Sequence, residues 1–127
     1  LDTHALVYWC SHPERLSPAQ QHALQTVHEQ SPAIVADISL WEVAALVSAG
    51  RLELDLPVRE WLNRAVAPPL VRVAEITATI AHEVASLDTW ENRDPADRLI
   101  VATARVYGAR IVTNDSLIRD SGLVAVV

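Results

Sequence analysis

The sequence predicts an α/β domain, three layers α/β/α with a central parallel sheet. Three observations lead there. Short apolar runs alternate with helical patterns along the whole chain, acidic residues stand at four places where such a run breaks off, and half of the 127 residues are hydrophobic. Alternation of this kind produces parallel strands joined by helical crossovers on both faces of a sheet. The length fits a single domain, residues 1–127, able to bury a sizeable core.

The elements follow in order. Leu1-Asp2 reads as the end of a first strand whose earlier residues are expected to lie upstream, since the chain opens directly on a junction residue without Met. A helical turn near Ala5–Trp9 is interrupted by His12 and Pro13. Ser17-Pro18 supplies an N-cap with proline at the first helical position, opening a polar helix to about Gln30. Ala33–Ala36 is a short buried strand between Pro32 and Asp37. Ser39-Leu40-Trp41-Glu42 has capping-box spacing and starts a helix that Gly50 ends.

Leu54–Pro57 connects to a helix running to about Ala67, which Pro68-Pro69 stops. Leu70–Ala74 reads as a strand and Thr77–Leu87 as an amphipathic helix carrying Ile80, Val84 and Leu87. Asp88–Arg93 is a polar loop. Asp94-Pro95-Ala96-Asp97 caps a helix to Tyr107, closed by Gly108 and apolar almost all round, hence buried. Arg110–Thr113 is a strand, Ser116–Ser121 a helical turn and Leu123–Val127 a last strand.

Composition removes several classes of function. No segment is long and apolar enough to span a membrane. The single Cys10 forms no internal disulfide, which fits a reducing cytosol. The net charge is −6 and every basic residue is arginine, with no lysine at all. Phosphotransfer enzymes that cluster aspartates at strand ends place a lysine on the phosphoryl group, so a lysine-free chain excludes them. An acidic total also disfavours loose, charge-driven binding to nucleic acid, although it leaves room for a local arginine rim.

The acids at the breaks are Asp2, Glu42, Asp97 and Asp115. Each has a bland alternative. Asp97 could close a capping box headed by Asp94, Glu42 could do the same behind Ser39, and Asp2 and Asp115 could be turn residues. Their coincidence argues for more, because ligand sites in parallel sheets lie beyond the carboxyl ends of the strands. Like charges ~4 Å apart repel by roughly 1–4 kcal/mol. Caps need no such crowding, whereas a cation site does. Oxygen-only donors without histidine or cysteine favour Mg²⁺ or Mn²⁺ over zinc. The matching chemistry is in-line hydrolysis of a phosphodiester, with Thr3 and Thr113 placed to orient the carboxylates.

Leu1-Asp2-Thr3-His4, Ile38-Ser39-Leu40-Trp41-Glu42, Gly50-Arg51-Leu52, Asp94 through Ala104 and Thr113-Asn114-Asp115 together resemble the PIN-domain nucleases. More narrowly they resemble the VapC toxins of bacterial toxin–antitoxin pairs. The match spans nearly the whole chain, and the Asp-Pro-x-Asp-Arg block before an apolar helix is its most specific part. The resemblance implies a PIN-like fold and an Mg²⁺- or Mn²⁺-dependent endoribonuclease with an RNA substrate. It also implies a homodimer in the bacterial cytoplasm, inhibited by a VapB-like antitoxin. The family's metal-binding and catalytic acids map onto Asp2, Glu42, Asp97 and Asp115, with Asp94 mainly a helix cap. The alternative is a PIN-like binding or assembly module that has lost catalysis.

Other residues carry weaker signals. His4, His12, His22, His28 and His82 show no metal-ligand spacing, and Cys10 fits a small buried apolar position. Trp41 and Trp61 fit core faces, while Trp9 and Trp90 lie near polar loops. Arg98 is placed to hold a carboxylate or a phosphate, or else to form a surface ion pair. Arg15, Arg51 and Arg93 fall in loops or at helix ends, where an RNA-facing rim would be. Asn114 stands beside a carboxylate, in reach of a substrate.

Overall fold

A computed structural model describes residues 1–127. Its elements are α1 (Thr3–Ser11), a 3₁₀ turn (Pro13–Arg15), α2 (Pro18–Gln25), β1 (Ala33–Ala36), α3 (Asp37–Ser48) and α4 (Val58–Ala65). They continue with β2 (Val71–Ala74), α5 (Ala78–Ala85), α6 (Pro95–Tyr107) and α7 (Ser116–Asp120).

β1 and β2 run parallel, in register from Ala33 opposite Val71 to Ala36 opposite Ala74. Hydrogen bonding continues beyond this pair. The Leu1 nitrogen donates to Ile34 O at 2.8 Å and the Asp2 N–H to Val112 O at 3.2 Å. A parallel bridge then joins Ile111 to Val126. The lateral order is therefore β2, β1, Leu1-Asp2, Ile111–Thr113, Ala125–Val127.

Only β1 and β2 form a full ladder, so the strands expected at Arg110–Thr113 and Leu123–Val127 are reduced to single-bridge contacts.

Alternate strand residues go to opposite faces, as pleating requires. Ala36 and Ile111 join Ile80, Leu87, Ile100, Val101 and Ile118 in a cluster under α5, α6 and α7. Val35 faces the other way with Leu6, Val7, Val43 and Trp61, beneath α1, α3 and α4. Val112 meets Ala5, Leu16 and Leu24 on that same side. Helices thus cover both faces of the sheet.

Several boundaries differ from those the sequence predicts. α2 ends at Gln25 because Thr26 bonds back to Ala23 O and His28 and Ser31 exchange backbone hydrogen bonds in a tight turn. α3 starts at Asp37, directly off β1, so Ser39 lies inside the helix and caps nothing. Trp61 is buried and its Nε1–H donates to Ser11 Oγ at 2.9 Å. Trp41, assigned to the core above, is 65% exposed instead, because α3 turns Val43 and Ser39 inward. Cys10 is also exposed rather than buried. α6 buries an unbroken run from Ile100 to Ala104, and Gly108 ends it in the left-handed conformation at φ 60°.

Candidate metal centre

The sequence-predicted acids are brought towards one mouth at the carboxyl end of the sheet. Asp2 caps α1: one oxygen accepts from Ala5 N–H at 2.6 Å, and the other accepts from the Thr113 hydroxyl. Thr113 in turn accepts the Asp115 N–H at 2.9 Å, tying the first and last acids through one side chain. Asp115 caps α7, accepting from Ile118 N–H at 3.0 Å. Across the mouth, the Thr3 hydroxyl donates to Glu42 and stands 3.0 Å from the Ser39 hydroxyl. Successive residues, Asp2 and Thr3, therefore hold opposite sides of the same site.

α6 contributes the remaining acids. Asp94 caps it, one oxygen accepting from Ala96 and Asp97 N–H at 2.8 and 3.2 Å. Asp97, one turn in, accepts from Asn92 Nδ2 at 2.7 Å, while Asn92 Oδ1 takes the Asp94 N–H at 2.9 Å. A single asparagine thus sets both the cap and the carboxylate inside it.

Electrostatics record how closely these groups approach. Burial, then repulsion from Asp94, Asp115 and Glu42, pushes the Asp97 carboxyl up to about 6, against a pull downward from Asn92. Burial also pushes Asp2 above the usual carboxylate range, with Thr113 and the Ala5 N–H opposing it. Asp97 therefore feels Asp94, Asp115 and Glu42, while Asp2 is linked to the Asp115 backbone through Thr113.

No three acidic, histidine or cysteine side chains stand close enough to make a closed cage. The donor set nevertheless suits a hard divalent cation. It is all carboxylate oxygen, its members repel one another through Asp97, and Mg²⁺ needs only one or two protein carboxylates beside its waters.

A cleft of ≈ 350 Å³ opens beside the acids, lined by Ile38, Trp41, Glu42, Asp94, Pro95 and Ala96. A second cavity of ≈ 280 Å³ is mostly apolar and includes Ser31, Pro32, Ala109 and Arg110 in its lining. Those residues mark the amino ends of the strands, away from the acids.

Arg98 is not part of the mouth. Its guanidinium donates to four backbone carbonyls, those of Val84, Leu87, Trp90 and Asn92, at 2.7–3.3 Å. Neither a carboxylate nor a surface ion pair engages it. Asn114 is held by buried Gln20, whose amide Nε2–H donates to Asn114 Oδ1 and also to Thr113 O and Val127 O. Gln20, Ser39 and Asn92 escaped the sequence reading. Ser39 was hidden by its resemblance to a cap; Asn92 carried a signal, an Asn two residues before a capping Asp.

Comparisons with known proteins bear on the family. Residues 1–121 match the family model described as PIN domain. The chain is 39% identical over 120 residues to Ribonuclease VapC22 of Mycobacterium tuberculosis, covering 94% of this chain and 88% of that protein. No solved structure matches it. The family-model match includes all four acids from Asp2 to Asp115, and the chain belongs to the PIN-domain family, in its VapC branch.

Proposed function

We propose that this protein is a VapC-type endoribonuclease that hydrolyses RNA phosphodiester bonds with Mg²⁺ or Mn²⁺. The observation that carries the reading is the convergence on Asp97 of charge from Glu42, Asp94 and Asp115, with Asp2 coupled through Thr113. RNA as substrate is taken from the relative's name, since carboxylates alone do not distinguish a ribose from a deoxyribose backbone. The same family reading makes the protein a homodimer in the bacterial cytoplasm, restrained by a VapB-like antitoxin. No helix is long and apolar enough to cross a membrane.

Asp2, Glu42, Asp97 and Asp115 would hold the metal, which supplies a water of lowered pKa and a charge to stabilise the phosphate. The chain's own part is orientation. Thr3 fixes Glu42, Thr113 fixes Asp2 and the start of α7, and Asn92 fixes Asp97. Such supporting groups set the angle and basicity of the carboxylates they touch.

The test is cleavage of RNA by purified, antitoxin-free protein. Activity should require Mg²⁺ or Mn²⁺, stop with EDTA and be lost in Asp97→Asn. Cleavage by that variant at the wild-type rate would remove the catalytic assignment of Asp97, and no cleavage by the wild type with either metal would leave the binding-module reading in its place.

A further inference from the structure

Trp41 is a large aromatic side chain left in water, 65% exposed, one residue before Glu42. It lines the ≈ 350 Å³ cleft together with Glu42, Asp94 and Pro95. That volume lies within the range of about 300–1,000 Å³ usual for ligand pockets. The cleft pairs one flat apolar wall with carboxylates, and its remaining walls, Ile38 and Ala96, carry no charge.

We infer that Trp41 is a stacking platform for a base of single-stranded RNA, next to the phosphate held at the acids. The inference rests on the ribonuclease reading above. A bare acidic mouth repels the phosphate backbone, so affinity must come from elsewhere as well as from a bound cation. The indole face supplies it without charge. Stacking accepts any base, because every base has a π-face, and it requires that the base be free of a duplex. Position decides the nucleotide involved: Trp41 and Glu42 line the same cleft, so the stacked base lies beside the scissile bond.

Exposed Trp41 is tested by substitution without disturbing the core. Wild type, Trp41→Ala and Trp41→Phe are compared on a short single-stranded RNA of mixed sequence and on the same RNA annealed to its complement. KM and kcat are measured with Mn²⁺, and Mn²⁺ affinity is measured by calorimetry. Trp41→Ala should raise KM for the single strand roughly 5- to 150-fold, the alanine-substitution range for base stacking. Its Mn²⁺ affinity should not move, and Trp41→Phe should recover most of the loss. Unchanged KM in Trp41→Ala, with wild-type cleavage intact, overturns the platform and leaves Trp41 as an anchor for a protein partner. Failure of the wild type to cut either RNA overturns the ribonuclease reading and the platform together.

Discussion

The side-chain amide of Asn92 donates to Asp97 at 2.7 Å and is the one hydrogen bond holding this carboxylate's charged form. Asn92→Ala should therefore drive the Asp97 pKa further above about 6, because burial and the neighbouring acids then act unopposed. It also removes the acceptor for Asp94 N–H at the start of α6. Loss of such a supporting group typically costs about 10- to 100-fold in metal affinity. Mn²⁺ titration of the variant, with carboxyl NMR following Asp97, checks both expectations.

Asp97 also sets a pH dependence on stability in the metal-free protein. Its carboxyl titrates at about 6 in the fold, against 3.8 in the unfolded chain. Between those values the native state keeps a proton that the unfolded state releases, so stability falls as pH rises through this window. Above it the ionised carboxylate is a standing cost. Asp97→Asn should consequently melt at a higher temperature than wild type at pH 7 in EDTA. The difference should vanish at pH values below the unfolded pKa. Scanning calorimetry at both ends of the window decides; equal melting at neutral pH would show that the cluster exerts no net repulsion.

Thr113→Val keeps shape but deletes the hydroxyl that donates to buried Asp2 and accepts from Asp115 N–H. Leaving a buried polar group unpaired costs about 1–3 kcal/mol. Urea denaturation should show a loss of that order. Ribonuclease activity should fall as well, since the strand end and the start of α7 are no longer joined.

Arg98→Lys should behave as a structural lesion. Four carbonyls spread from Val84 to Asn92 suit a planar fork of donors, and a single ammonium cannot span them. The variant should lose stability and become susceptible to proteolysis between α5 and α6. Its KM for RNA should stay close to wild type. A large rise in KM without loss of stability would place Arg98 on the phosphate after all.

Much of this was legible in the residues themselves. Asp94-Pro95 marks a helix start whatever the tertiary context, so α6 and the place of Asp97 within its first turn were readable locally. The final strands were less so: Arg110–Thr113 and Leu123–Val127 have apolar runs, yet the length of their ladders depends on neighbours far away in sequence. Trp41 failed for a different reason. α3 carries Ile38, Leu40, Trp41, Val43, Ala44, Ala45, Leu46 and Val47, apolar on every side, so periodicity cannot choose which one faces water. Arg98 follows Asp97 in sequence, but on a helix consecutive residues point in different directions, and its long side chain reaches back to the preceding loop.

Thr113 grips Asp2 from 111 positions away along the chain, and Thr3 reaches Glu42 from 39 away. A polypeptide still being translated carries these groups on unconnected lengths of polymer. Asp115 comes last of the four acids in sequence, so the centre cannot assemble before it is made. The complete acidic set thus exists only once Asp115 has been added and the fold has closed around it.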